Sequence, residues 1–269
     1  MKIEDMNVTS PALSLLQSMT SGDTTSDLFS IIYGQGTASS VDPVSSLISA
    51  EKNQTKDIAQ QAKDPETKSA INHFLSAVAK ASDLKTLMAD PIARDVLLTS
   101  NGLGDQSDYT ALATKALLSD TTKPDSLANQ LSNKGWLAMA QTYDFANQGL
   151  SKLKVPSVLS TITNGYAEVK WRESLETTTP GLSAALDFRS RASTVTSVDQ
   201  ILGDTNLRKV VTTALGLPLE IAFQPIEAQE KAITSKVDIS KFKDPNFVEQ
   251  FARRFLLANQ TSASASTYA

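Results

Sequence analysis

Side chains that could carry acid–base, nucleophilic or metal chemistry are few in this sequence. His73 is the single histidine, and the chain contains no cysteine. A metal site would therefore need several carboxylates beside His73, and a serine nucleophile would lack an evident orienting framework. We interpret His73 as a packing or surface residue of a helix. No catalytic residue is predicted, and the protein is expected not to be an enzyme.

Glycine-rich and acidic segments also lack the spacing of known ligand loops. The glycines of YGQGTASS, residues 33–40, have no following lysine to bind a phosphate. Asp105 and Asp108 do not fit the twelve-residue calcium loop and are better explained as helix caps. Glu227 and Glu230 have the spacing of a solvated helix face. The sequence thus predicts no cofactor and no metal site.

Aromatic side chains remain as candidates for packing or for protein interaction: Trp136, Tyr143, Phe145 and Trp171. The first three belong to DSLANQLSNKGWLAMAQTYDFA, residues 125–146, an apparent helical hairpin with Gly135 at its corner. With Leu127 and Leu131 they form either the core of this hairpin or an exposed anchor for a neighbouring subunit, and we favour the core. The indole of Trp171, between charges in AEVKWRESL, is also expected to pack.

Helices are the elements that must position these residues. Ile71, Phe74 and Val78 recur at i, i+3 and i+7, which lines one face of a helix. Aspartate precedes proline at 64–65, 90–91 and 244–245, and each pair is typical of a helix start. Glycines in NGLG and LGLP suit left-handed helix ends. The predicted fold class is all-α.

Two segments align without gaps at an offset of 114 residues. They are SDLKTLMADPIARDVLLTSNGL, residues 82–103, and TSVDQILGDTNLRKVVTTALGL, residues 196–217. Their apolar positions coincide, and Asp90 aligns with Asp204. The alignment indicates an internal duplication.

A shorter match at an offset of 120 pairs LANQL, residues 127–131, with FVEQF, residues 247–251. It predicts that each unit ends in an amphipathic helix. The fold is then built from two diverged helical repeats, covering about residues 82–146 and 196–259.

Polar tails are expected at both ends of an all-helical core, residues 44–260. Residues 1–43 are rich in Ser, Thr, Gly and Asp, a composition that buries too little surface to offset the entropy of ordering. Their apolar patches, LSLL and LFSIIY, could instead fold on a partner. Residues 261–269 have a similar polar composition, so both ends are predicted to be disordered.

Charge and hydropathy restrict the classes of partner. Lys and Arg number 25 against 29 Asp and Glu, so the basic footprint of a nucleic-acid-binding protein is missing. Arg189, Arg191 and the Arg253–Arg254 pair are interpreted as solvated charges on helix faces. The apolar runs are too short for a transmembrane segment, and the N-terminus lacks the pattern of a cleaved signal peptide.

Three blocks resemble a known family: LANQLSNKGWLAMAQTYDFA, LMADPIARDVLLTSNGL and ILGDTNLRKVVTTALGLP. The sequence is similar there to the alphaproteobacterial domain-of-unknown-function family 1217, whose members are commonly found in flagellar gene neighbourhoods. The similarity covers most of residues 50–259. This chain departs from the family at Gln130, where a basic residue is usual, at Trp136, which stands near the usual tyrosine, and at Tyr143-Asp144-Phe145. The resemblance implies a flagellar context and supplies no active site.

Two functions from different classes follow. The first is a non-enzymatic structural or assembly protein of the flagellum or an export substrate, located there or exported without a cleaved signal peptide. Its partners would be flagellar components or the export machinery. The alternative is a cytoplasmic helical adaptor or regulator that binds a partner protein.

Overall fold

The computed structural model describes residues 42–266, and no strand occurs among them, so the predicted all-α class is confirmed. The α-helices are α1 (Pro43–Gln61), α2 (Pro65–Lys80), α3 (Leu84–Ala89), α4 (Pro91–Thr99), α5 (Thr110–Leu117), α6 (Leu127–Gln130), α7 (Gly135–Tyr143), α8 (Phe145–Gln148), α9 (Pro156–Leu175), α10 (Leu182–Arg191), α11 (Val198–Leu202), α12 (Thr205–Ala214), α13 (Ile226–Thr234) and α14 (Pro245–Ser266). Short 3₁₀ turns occupy Gly104–Gln106, Ala192–Thr194, Leu219–Phe223 and Ile239–Lys243.

The predicted tails fall largely outside the described residues. Residues 1–41 are not described, and Pro43, the last residue of the expected N-terminal tail, begins α1. At the other end α14 continues to Ser266, past the expected tail start at residue 261, and residues 267–269 are not described.

Helix starts lie where the aspartate–proline pairs predicted them, at Pro65, Pro91 and Pro245. Each preceding aspartate accepts hydrogen bonds from backbone amides that have no partner within the helix. Asp90, for example, accepts from the amides of Ile92 and Ala93, both at 3.0 Å. These local bonds explain why the starts could be read from neighbouring residues alone.

Apolar side chains pack into two cores. Core one contains residues from Phe74 to Tyr166, and core two contains residues from Leu47 and then from Trp171 to Leu256. Helix α9 belongs to both, because Tyr166 lies in core one and Trp171 in core two. The side chains of this one helix therefore connect the two halves of the chain, each of which is built around one core.

The segments aligned at an offset of 114 residues adopt matching local structures. Asp90 caps α4 and Asp204 caps α12. Gly102 and Gly216, which end the two segments, have φ angles of +74° and +60°. Both ends also close the same bond, as the amide of Leu103 donates to Leu98 O and that of Leu217 to Thr212 O, each at 2.9 Å.

Core positions match as well, since Leu87 and Val96 lie in core one while their counterparts Ile201 and Val210 lie in core two. The same offset pairs Phe74 of α2 with Phe188 of α10, both fully buried, outside the aligned segments. These correspondences support the internal duplication, which stays a prediction.

The two segments of the shorter alignment do not adopt matching structures. LANQL forms the four-residue helix α6 and an extended Leu131, whereas FVEQF lies in the first turns of the 22-residue α14. The helix that corresponds to α14 in the other repeat is α9. Helix α9 packs on α2 and α4 in the same way as α14 packs on α10 and α12. Both α9 and α14 begin at a proline. Three coincident apolar positions therefore did not indicate equivalent packing.

Gly102→Ala and Gly216→Ala should each lower the free energy of unfolding by about 1–2 kcal/mol, because a Cβ strains the left-handed conformation. A Cβ at Gly216 would meet no heavy atom within 4 Å, and one at Gly102 would meet only Arg191 Nη1 at 3.9 Å. The two losses should hence be similar. Urea unfolding measures them, and asparagine at either site, which tolerates this conformation, should cost less. Unchanged stability in both alanine variants would contradict the assigned helix ends.

Candidate functional site

Trp136, Tyr143 and Phe145 are buried in core one. The indole Nε1 of Trp136 donates to Gln106 Oε1 at 2.8 Å, and the Tyr143 hydroxyl donates to Asn101 Oδ1 at 3.1 Å. Burial raises the pKa of Tyr143 despite this bond. The rings of Tyr143 and Phe145 stack with centroids 5.3 Å apart. All three side chains therefore pack in the interior of core one.

A left-handed residue positions these two stacked rings. Asp144 has a φ angle of +50° between α7 and α8, and its Oδ1 accepts from Asn147 Nδ2 at 2.7 Å. Asparagine and aspartate adopt this conformation more readily than other residues with a Cβ. The turn allows Tyr143 and Phe145, only two residues apart, to face the same core.

Gly135 lies at the predicted corner, at the start of α7. A Cβ there would lie 2.9 Å from Asn133 Oδ1 and 3.1 Å from Leu103 Cδ2, so this corner is closely packed. Trp171 is buried in core two. All four predicted aromatic residues are thus buried.

His73 is a surface residue of α2, as interpreted from the sequence. Its Nε2 lies 2.7 Å from Asp90 Oδ2, and its side chain is 44% exposed. Burial opposes ionisation of Asp90, but bonds from the amide of Ala93 and from His73 prevail and lower the pKa of that carboxyl. Among the described residues no group of His, Asp and Glu side chains is placed to hold a metal ion.

A chain of ion pairs links α9, α10 and the start of α12. Arg172 Nη1 contacts Asp187 Oδ1 at 2.8 Å, and Arg191 contacts both Asp187 and, at 2.7 Å, Asp204 Oδ2. Asp204 Oδ1 also accepts from the amide of Leu207 at 2.9 Å. Burial opposes the charge of Arg191, but hydrogen bonds and attraction from the two carboxylates raise its pKa.

These pairs border a cleft of about 390 Å³ whose lining comes from both halves of the chain. Thr205 Oγ1 donates to Asp105 Oδ2 at 3.0 Å across the halves. The buried charges of the cleft bind each other, which is how proteins tolerate charges taken out of water. Ion pairs between lining side chains therefore hold the walls of the cleft in place.

The interpretation of Arg189 and Arg191 as solvated charges was wrong. Arg191 belongs to the buried ion pairs, and Arg189 contacts Glu51 of α1 and, at 2.7 Å, Glu249 of α14. Packing of α10 against α1 and α14 brings these carboxylates together. Arg253 also contacts Glu249, at 2.7 Å, whereas Arg254 is exposed as predicted.

An exposed apolar pair lies at the start of α13 and in the 3₁₀ turn before it. The Phe223 side chain is 90% exposed and that of Ile226 is 59% exposed. Gln229, buried below them, donates through Nε2 to Gln224 O at 2.8 Å and Ala222 O at 3.5 Å. We name as the Phe223 surface these two apolar residues and the neighbouring acidic ones: Phe223, Ile226, Asp199, Glu220, Glu227 and Glu230.

Sequence reasoning missed both apolar members of this surface. Their spacing of three residues equals that of a buried helix face, so the pattern indicates core as readily as surface. Pro225 between them, which interrupts a helix, was the available signal.

None of the helices within residues 42–266 is long and apolar enough to cross a membrane.

Comparisons with known proteins identify one family model and one solved structure that match the chain. Residues 100–248 match the model of a family described as "Protein of unknown function (DUF1217)". No curated protein matches the chain. The crystal structure of protein AGR_C_984 from Agrobacterium tumefaciens is similar in fold, with a TM-score of 0.70, 21% identity, and coverage of 85% of this chain and 98% of that one. Because the family match spans more than half of the sequence, the chain belongs to the DUF1217 family.

Proposed function

We propose that this chain is a non-enzymatic structural or assembly protein of the bacterial flagellum that acts by binding other proteins. The Phe223 surface carries the binding part of this proposal. Phe223 is 90% exposed, and exposed aromatic side chains are enriched at the centres of protein interfaces. Such a side chain contributes nothing to the two cores of the chain, so we assign it to contact with a partner.

The flagellar part rests on family membership. The resemblance seen in the sequence implied a flagellar gene neighbourhood, and the match over residues 100–248 supports the family. The matched range includes the Phe223 surface and most of the cleft-lining residues.

The geometry of the cleft supports the non-enzymatic part. Each carboxylate oxygen of Asp187 and Asp204 contacts a guanidinium group. A general acid or base must instead have a free position within reach of a substrate proton. These carboxylates hold helices together in our proposal.

A strain that lacks the gene should swim poorly and assemble fewer or incomplete flagella, because an assembly component would be missing. Swimming in soft agar and electron microscopy of cells measure this result. A copy of the gene supplied in trans should restore both, which controls for effects on neighbouring genes. Normal swimming and normal flagella in the deletion strain would contradict the proposal.

Cell fractionation separates the proposal from the cytoplasmic adaptor. Protein in purified basal bodies or in the culture medium supports the flagellar assembly role. Protein confined to the cytosol supports the adaptor.

A further inference from the structure

We infer that the Phe223 surface docks into an apolar pocket of another protein whose rim carries Lys or Arg side chains. This inference names the chemistry of the partner and rests on the protein-binding part of the proposed function.

The apolar anchor is held in place before any partner arrives. Phe223 closes a 3₁₀ turn and Ile226 begins α13, and the two bonds from buried Gln229 fix the backbone on either side of Phe223. A phenylalanine ring has only two side-chain torsions to order on binding. Both features reduce the entropy lost on association, so this anchor suits a preformed pocket.

Four acidic side chains flank the anchor. Glu220 precedes Phe223 in the 3₁₀ turn, and Glu227 and Glu230 follow on α13. A hydrogen bond with Asp199 of α11, together with the charges of Asp199 and Glu227, raises the pKa of Glu230.

The negative charges of Asp199 and Glu227 oppose that of Glu230 in the free protein. A Lys or Arg of a partner would remove the repulsion, which is the form of charge complementarity that steers protein association. The hollow beside Ile226 also contains Lys134 and Arg208. The Lys134 ammonium already donates to the carbonyls of Asn129 and Leu131, at 2.9 and 3.1 Å.

The same charges argue against two other occupants. Membrane surfaces that carry anionic lipids would repel the acidic rim. A two-fold dimer through this surface would bring two copies of the rim together, since such an interface uses the same patch on both subunits.

In-cell crosslinking tests the inference on the full chain. A photo-crosslinking phenylalanine analogue is placed at position 223 in motile cells, and the irradiated adduct is mapped by mass spectrometry. The matched control carries the analogue at Tyr109, which is 62% exposed and lies outside the Phe223 surface. We expect an adduct specific to position 223 in an apolar pocket of one other protein, with Lys or Arg beside it.

Several mapped results would overturn the inference. They are an adduct on a second copy, on residues 1–41 of the same chain, on a lipid, or on a pocket rimmed by acidic residues. Equal labelling from positions 223 and 109, or no adduct at all, would overturn it as well.

Purified binding partners then test the chemistry of the contact. Phe223→Ser should weaken binding at least tenfold, and Glu227→Lys combined with Glu230→Lys should do the same, while Tyr109→Ser should leave it unchanged. Wild-type binding should weaken as salt is raised. All variants should melt like the wild type because the substituted side chains lie at the surface. Tight binding by Phe223→Ser, or stronger binding after charge reversal, would refute the assigned surface.

Failure of this inference is distinguishable from failure of the proposed function. If the deletion strain is non-motile while a strain carrying Phe223→Ser swims normally, the flagellar role stands and the assigned surface is wrong. If position 223 crosslinks to a basic-rimmed pocket while the deletion strain swims normally, the surface stands and the flagellar role is wrong.

Discussion

Replacing Trp136 by alanine should lower the free energy of unfolding by about 3–5 kcal/mol, the range for deleting a large buried aromatic side chain. The indole is fully buried in core one, and its loss would also leave Gln106 without the bond it accepts at 2.8 Å. Urea unfolding and thermal melts of the purified variant measure the loss.

Two substitutions control this experiment. Tyr109→Ala removes an aromatic ring that is 62% exposed and should change stability by less than about 0.5 kcal/mol. Trp136→Phe keeps most of the apolar volume but loses the hydrogen bond, so its loss should be smaller than that of the alanine variant. An unchanged midpoint for Trp136→Ala would show that the core assignment is wrong.

Asp187→Ala is expected to cost about 3–5 kcal/mol, because removing one partner of a buried ion pair leaves an uncompensated charge. Asp187 contacts both Arg172 and Arg191, and the side chains of Asp187 and Arg172 are 10% and 11% exposed. Without the carboxylate, Arg172 would lose its ion pair in the interior. Urea unfolding at neutral pH measures this loss too.

The double variant Arg172→Met with Asp187→Leu separates charge from packing. It removes both partners together, and buried pairs replaced by apolar side chains of similar size are often as stable as the original. Arg191 keeps Asp204 in this variant. We therefore expect it to be more stable than Asp187→Ala. A double variant no more stable than the single one would mean that packing around these residues, and not the unpaired charge, sets the cost.

Residues within one helical turn of each other were readable from the sequence. Asp90 caps α4 through amides two and three residues away, and after Gly102 the amide of Leu103 closes the same helix by donating to Leu98 O, five residues back. The helical period of Ile71, Phe74 and Val78 predicted α2 for the same reason, since each contact depends on local spacing. Trp136 was assigned to the core because apolar residues surround it in sequence.

Distant partners were not readable in this way. Arg189 contacts Glu51 and Glu249, which belong to α1 and α14 at the two ends of the described residues. In the sequence these are ordinary charges of a helix face, and only the packing of three helices makes them a cluster. The same limit explains the shorter alignment, whose two segments are similar in sequence although one forms the four-residue α6 with an extended Leu131 and the other begins the 22-residue α14.

The sequence by itself determined the helical class, the starts of α2, α4 and α14, and the ends of α4 and α12, because caps and apolar periods act over a few residues. Tertiary structure alone decided that Arg172, Asp187, Arg191 and Asp204 form one buried chain of ion pairs and that Phe223 faces solvent. Burial is a property of the neighbours that helix packing supplies, and those neighbours come from residues far apart in the chain. An apolar residue at helical spacing is therefore core in one place and exposed surface in another.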